Sequence, residues 1–211
     1  MRTSKMLLAS IAMGFLLAGA GRSAQAELIT NGTFDTDLAG WTIIQPGIPT
    51  TWVSGTAHVG RPGTPGISIF EQSFDIPIGT EALSISFDYE WQVMAPVEFE
   101  DSFLAEFVYQ STTAPDPKTV TLVDQGSDDG VFGSPTAFST IISLIDLDNI
   151  SDNGTIRFTL TENNSPVGTR IELDNVIVNP VPEPSTYAGL VGITCVSLLA
   201  YSWRSKRQQV A

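Results

Sequence analysis

The stretch that decides the fold is residues 83–93, LSISFDYEWQV, where a large apolar side chain occupies every second position. The positions between hold serine, aspartate, glutamate and glutamine. Successive side chains of a β-strand point to opposite faces, so the pattern predicts a strand with one face in a core and the other in water. Trp91 lies on the apolar face, and we expect it in the core.

Residues 155–161 alternate in the same way, and further runs rich in β-forming residues extend the pattern along the chain. These runs are 67–74, 99–109, 119–123, 138–144 and 171–178. Turn signals such as Asn31-Gly32, Asp129-Gly130 and Asn153-Gly154 separate them. No stretch of 12 residues between 27 and 180 has sustained helical periodicity. Residues 27–180 are therefore predicted to form an all-β domain, an antiparallel sandwich.

Composition excludes several classes of protein. The 211 residues carry a net charge of −13, and residues 27–181 alone carry −18, from four Lys or Arg and 22 Asp or Glu. Such a charge repels polyphosphate, so no nucleic acid is expected as a partner. The single His and single Cys exclude a Cys/His zinc cluster and a disulfide framework.

The first 26 residues have the features of a secretory signal peptide. Arg2 and Lys5 precede an apolar stretch from Met6 to Ala20, and Ala24-Gln25-Ala26 forms a small-residue cleavage site. We expect cleavage after Ala26. An uncleaved membrane anchor is the alternative, but the apolar run is shorter than the ~20 residues that a span needs.

The other end carries a second apolar segment, residues 187–203, followed by the basic residues Arg204, Lys206 and Arg207. The basic cluster favours a cytoplasmic end, with the rest of the chain outside. Pro182-Glu183-Pro184 precedes the segment, and residues 181–211 together resemble the PEP-CTERM sorting signal of bacterial surface proteins. The resemblance implies a transmembrane helix, processing by an exosortase near the Pro-Glu-Pro box, and delivery to the cell surface or the extracellular matrix. The alternative is a plain C-terminal anchor.

The ends of the β-domain carry a further resemblance. Residues 28–35, LITNGTFD, followed by Gly40-Trp41, look like the opening of galactose-binding-like jelly rolls, the fold of many carbohydrate-binding modules. Residues 171–176, IELDNV, look like its closing strand. The resemblance implies a jelly-roll β-sandwich and a structural Ca²⁺ bound by Asp35 and Asp174, although the family more often has Glu at the first position. The alternative is that both aspartates are turn residues that accept hydrogen bonds from nearby backbone N–H groups.

Glycan binding needs exposed aromatic side chains beside polar groups, and Trp52, between two turn-rich segments, is the candidate. Packing in the core is the alternative for Trp52, and Trp41 is expected in the core. The segment 124–130 has no EF-hand spacing and is interpreted as a solvated loop.

Catalysis has little support in the sequence. His58 is the only imidazole, and no Gly-x-Ser-x-Gly pattern occurs. Glu98, Glu100 and Asp101 could supply a glycosidase pair, but solvated acids are expected in so acidic a domain. We therefore expect no enzyme but an exported protein that binds extracellular polysaccharide. A structural matrix or adhesion protein is the alternative, and a glycoside hydrolase is the third hypothesis.

Overall fold

The computed structural model describes residues 27–44, 49–61, 65–93, 101–129, 132–147, 149–163 and 169–181, which contain ten strands and no helix. The strands are β1 Thr42–Ile44, β2 Thr51–Val53, β3 Thr56–Val59, β4 Gly66–Asp75, β5 Ala82–Val93, β6 Ser102–Ser111, β7 Lys118–Gly126, β8 Thr136–Ser143, β9 Ile150–Glu162 and β10 Thr169–Val181. They form two five-stranded sheets with the orders β1-β4-β9-β6-β7, here sheet A, and β2-β3-β10-β5-β8, here sheet B. All the strand pairs of both sheets are antiparallel.

The two sheets pack face to face through aromatic side chains. Phe158 of β9 lies at the centre, with its ring 5.1 Å from that of Phe87 on β5 and 6.2 Å from that of Phe103 on β6. Trp91 meets Phe103 edge to face and is almost fully buried. Aromatic pairs add to the stabilisation that buried apolar area already provides. The apolar face of residues 83–93 is therefore the sheet B half of the core, as its alternation predicts.

The segment before β1 closes this core without forming a strand. Phe34 is fully buried, and Trp41 stacks on Phe70 at 4.5 Å. The backbone of Gly32 passes so close to β10 that a β-carbon there would lie 1.9 Å from the Val176 carbonyl oxygen. Only glycine permits this approach, and it allows Val176 N–H to donate to the Gly32 carbonyl at 3.0 Å. The resembling stretches 28–35 and 171–176 thus meet in space.

The observed strands confirm the predicted all-β domain and its long strands. The short strands β1, β2 and β3 were not predicted, because three or four residues cannot display an alternation. The interpretation of 124–130 as a solvated loop was wrong in part: Asp124 to Gly126 belong to β7, and Ser127 is buried.

The predicted terminal signals lie outside the described residues. This holds for the signal peptide 1–26 with Ala26, for Pro182-Glu183-Pro184 and for the apolar segment 187–203. Within the described residues, no helix has the length and apolar character to cross a membrane.

Candidate functional site

A groove of about 270 Å³ lies on the outer face of sheet B, above the pairing of β5 with β10. The polar positions of β5 face outward because its apolar positions fill the core. The register aligns Asp88 with Asp174 and Glu90 with Glu172, so four carboxylates from two strands line one groove. Thr56 of β3 completes it on one side. Like charges directly opposite each other cost stability, so this arrangement is not one that packing alone favours.

Hydrogen-bond donors hold these carboxylates in place. Asn175 donates its side-chain N–H to Asp88 Oδ2 at 2.8 Å and its backbone N–H to Asp174 Oδ1 at 2.7 Å. The Gln92 amide donates to Glu90 Oε1. Each of these hydrogen bonds engages one oxygen of its carboxylate. The groove therefore presents fixed acceptors on a rigid sheet, which suits recognition of hydroxyl groups.

A cationic side chain and a histidine border the groove at Glu172. Arg170 donates to Glu172 Oε1 at 2.6 Å, and His58 Nε2 lies 3.3 Å from the same oxygen. Burial and the Arg170 charge lower the pKa of His58, and they outweigh the opposite effect of Glu172. The neutral form of His58 is thus favoured beside Glu172.

Trp52 lies at the margin of sheet B, on the edge strand β2. Its side chain is 40% exposed, and its indole N–H donates to the Phe34 carbonyl at 2.6 Å. The ring is therefore fixed against the segment before β1. Among the described residues that line the groove, Tyr89 is the one aromatic residue, and its hydroxyl donates to Gln125 at 3.2 Å.

The aspartates predicted to bind Ca²⁺ are near each other. Burial raises the pKa of Asp174, and the charges of Asp88 and Asp35 raise it further. Asp35 therefore lies close to Asp174. Asp35 also accepts a hydrogen bond from the Thr33 hydroxyl at 2.9 Å. Two carboxylates near one another suit Ca²⁺, but within the described residues no group of three or more His, Cys, Asp or Glu side chains could hold a metal. Backbone carbonyls and water would have to supply the other ligands.

The residues considered for catalysis do not assemble an active site in the described part of the chain. Asp101 is 1% exposed and accepts hydrogen bonds from Asn163 N–H and from the Thr169 hydroxyl. The sequence suggested that Asp101 is a solvated acid, and this interpretation is wrong because its side chain is buried. A buried carboxyl also has no access to a substrate. Glu98 and Glu100 lie outside the described residues.

The outer face of sheet A differs from that of sheet B. Its central strand β9 carries the small hydroxyl side chains Thr155, Thr159 and Thr161, and its one described ion pair joins Arg157 to Glu71 at 2.6 Å. On this face, the charge of Glu71 is balanced by that of Arg157. Of the groove acids, the sequence singled out only Asp174, because Asp88, Glu90 and Glu172 are ordinary polar positions of strands that only the register of β5 with β10 brings together.

Comparisons with known proteins identify the fold. The sequence matches no protein-family model. No curated protein matches it either. Similar solved structures include a CBM4 carbohydrate-binding module, with 20% identity over 72% of this chain and 99% of that one, at a TM-score of 0.50. The CBM22-1–GH10 modules of Clostridium thermocellum endo-1,4-β-D-xylanase 10B, solved with xylohexaose, match with 14% identity and a TM-score of 0.52.

The enzymatically active domain of tailspike protein 4 of bacteriophage CBA120 matches with 15% identity and a TM-score of 0.51. This chain spans 21% of the tailspike structure and 29% of the xylanase structure, and each match covers 74% of this chain. The feature shared with these structures is the jelly-roll β-sandwich fold.

Proposed function

We propose that the β-sandwich is a non-catalytic module that binds polysaccharide through the groove on sheet B. The observation that carries the proposal is the row of four carboxylates, each fixed by a neighbouring donor and presented on a rigid sheet. Carboxylates accept strong hydrogen bonds from hydroxyl groups, and sugars present hydroxyls at regular spacing. The fold similarity to carbohydrate-binding modules supports the same function.

The charge of the groove limits which polysaccharide it binds. Asp88, Glu90, Glu172 and Asp174 face one arginine, Arg170, so the local field is negative. A uronic-acid or sulfated polymer would bring like charges together, whereas a neutral glycan meets only acceptors. The proposed ligand class is therefore a neutral polysaccharide rich in hydroxyl groups.

Affinity electrophoresis of the full-length chain tests this proposal. We expect neutral polysaccharides such as xylan, β-glucan or galactan to retard the chain, and alginate to leave it unaffected. Glu90→Gln keeps the shape but removes a charged acceptor, and should weaken binding roughly tenfold, since a charged hydrogen bond contributes ~1.5–3 kcal/mol. Glu71→Gln on sheet A is the matched control and should bind like the wild type. Equal loss in both variants, or no retardation by any glycan, would favour the structural matrix protein instead.

Trp52 is proposed as a contact at the margin of this surface. Its partial exposure supports a role in stacking, and its fixed indole supports a low entropic cost of binding. Trp52→Phe keeps an aromatic face but loses the hydrogen bond to Phe34, while Trp52→Ala loses both. If Trp52 stacks on sugar, only the alanine variant should lose retention; if its role is packing, both variants should melt earlier with retention unchanged.

Asp35 and Asp174 are proposed to bind a structural Ca²⁺. Their proximity supports a shared ligand, and a bound cation would relieve the repulsion that Asp35 and Asp88 exert on Asp174. The thermal unfolding of Asp35→Asn and Asp174→Asn should respond less to Ca²⁺ than that of the wild type. If both variants respond to Ca²⁺ as strongly as the wild type does, this site is rejected.

Export and sorting form a separate proposal, supported by the residues of the two chain ends. We propose that a signal peptidase cuts after Ala26 and that an exosortase removes the tail near Pro182-Glu183-Pro184, after transient anchoring in the membrane. Mass spectrometry of surface material from an exosortase-containing host should find a chain that starts at Glu27 and lacks Arg204. An intact C-terminus on the mature protein would reject the sorting proposal.

A further inference from the structure

A second pair of acids lies inside the molecule, at the end of the sandwich where β3 and β9 end and β6 and β10 begin. Glu162 is the last residue of β9, and Asp101 directly precedes β6, both in sheet A. They are 4% and 1% exposed. Thr169, the first residue of β10 in sheet B, donates its hydroxyl to Asp101 Oδ2. The two acids therefore lie where the sheets meet.

Glu162 has no partner for its charge within the described residues. Both of its carboxyl oxygens are inaccessible to water and accept no hydrogen bond there. Burial and the charge of Asp101 raise the pKa of Glu162 to about 8, although the Arg61 backbone N–H is near enough to lower it. Among the described residues, no Lys, Arg or His side chain forms an ion pair with either acid. A buried carboxylate without a donor or a cation is strongly unfavourable.

The backbone carbonyl oxygen of Thr169 also lies near Glu162. The position that a β-carbon on Gly60 would occupy is 2.4 Å from Leu160 Cδ2, and it is 3.0 Å from both Glu162 Oε1 and the Thr169 carbonyl oxygen. The two oxygens are thus at most about 6 Å apart, with glycine between them. Gly60 has a φ of +90°, a conformation that glycine adopts without strain. Glu162 Oε1 and the Thr169 carbonyl oxygen, one from each sheet, therefore lie near each other beside Gly60, with the Leu160 side chain next to them.

We propose that Asp101, Glu162 and the Thr169 carbonyl bind a hard divalent cation, Ca²⁺, that joins the two sheets at this end of the sandwich. Ca²⁺ takes six to eight oxygen ligands in flexible geometry, so two carboxylates, a carbonyl and water can satisfy it. Mg²⁺ needs a near-ideal octahedron and releases its water reluctantly, and Zn²⁺ prefers the nitrogen and sulfur ligands that are missing from this site. The site is distinct from Asp35 and Asp174 and does not depend on glycan binding.

The test counts bound ions on the full-length chain by equilibrium dialysis against ⁴⁵Ca²⁺ after removal of metal with EDTA. Glu162→Gln preserves the shape of the side chain and should lose one bound Ca²⁺ per chain. Asp174→Asn is the matched control, and it should retain the ion bound by Glu162 whether or not Asp35 and Asp174 hold one of their own. Ca²⁺ should raise the melting temperature of the wild type by on the order of 10 °C more than that of Glu162→Gln.

Equal numbers of ions on the wild type and Glu162→Gln would overturn the proposal, because a proton would then neutralise Glu162. Luminescence of Eu³⁺ bound to the wild-type chain gives an answer that needs no folded variant. An ion held by two carboxylates and a carbonyl has lost part of its water, so the hydration calculated from its luminescence lifetimes in H₂O and D₂O should be clearly lower than that of free Eu³⁺. Hydration close to that of the free ion for every bound ion would place all of them on the surface and reject the buried site.

Discussion

The groove on sheet B and the buried pair Asp101–Glu162 place acids in opposite surroundings. In the groove, four carboxylates lie near water, and each accepts a hydrogen bond from a neighbouring donor. In the buried pair, Asp101 has two donors but Glu162 has none. The difference in donors matters more than the number of acids, because water and donors stabilise charge in the groove, whereas Glu162 is shielded from water and the Arg61 backbone N–H offsets little of its burial. One set of carboxylates thus lies beside water and donors, whereas Glu162 lies where its charge needs a proton or a cation.

The largest expected difference between the two regions concerns alkaline pH. Because the pKa of Glu162 is raised to about 8, its contribution to stability is complete below its unfolded pKa of 4.5 and is lost as pH rises through 8. In EDTA, the free energy of unfolding should fall by on the order of 2–4 kcal/mol between pH 5 and pH 9, as measured by urea titration. Glu162→Gln should remove most of this dependence. A wild-type stability that is flat over this range would show that Glu162 is charged and paired.

Truncation of Asp101 should have the next largest effect. Asp101→Ala leaves the buried Thr169 hydroxyl without an acceptor, and it also removes the acceptor of the partly buried Asn163 N–H. An unpaired buried donor costs about 1–3 kcal/mol, so the urea midpoint should fall by an amount equivalent to roughly 1–3 kcal/mol. Asp88→Ala in the groove is the comparison, and it should cost less than ~1 kcal/mol because Asn175 can turn to water. Equal losses in the two variants would mean that removal of the buried acceptor costs no more than removal of an acceptor in the groove.

His58, beside the groove, should make the domain less stable as pH falls, whereas Glu162 makes it less stable as pH rises. Burial lowers the pKa of His58, so the unfolded chain takes up a proton before the folded one does. Stability should then decrease as pH falls below the ordinary histidine value of 6.5, a smaller change than that caused by Glu162. The free energy of unfolding of His58→Gln and of the wild type, measured at pH 7.5 and 5.5, separates the contribution of His58 from that of the carboxylates. If both proteins lose the same stability, His58 is not responsible.

The smallest expected effect on stability is that of the groove variants themselves. Glu90→Gln and Glu172→Gln should unfold within ~0.5 kcal/mol of the wild type, because their side chains are partly exposed and lie outside the core. Their effect should appear in glycan retention instead. A variant that loses both retention and several kcal/mol of stability would mean that the groove carboxylates maintain the fold.

The sequence predicted the part of this molecule that depends on local alternation. Residues 83–93 determine β5, its buried Trp91 and the outward row of acids, since period two needs no knowledge of neighbours. It could not predict that Glu162 is buried, because the alternation of 155–161 ends before that residue and the contact with Asp101 spans 61 positions. The polar segment 124–126 likewise appeared solvated, yet Gln125 accepts a hydrogen bond from Trp91 at 2.8 Å. Pairing across the sheets, rather than composition, decides these cases.

Strand β10, which lies between β3 and β5, also determines how the domain carries a mechanical load. Its pairing with β5 extends from Thr169 opposite Val93 to Val181 opposite Ala82, interrupted only by the irregularity between Asp174 and Ile177. Hydrogen bonds of an antiparallel pair run perpendicular to the strands, so tension on the chain beyond Val181 loads them in shear, together rather than one after another. The same strand is held by Leu28 N–H, which donates to the Val178 carbonyl at 2.9 Å. A pull at this end is therefore shared between β5 and the first described residues of the chain.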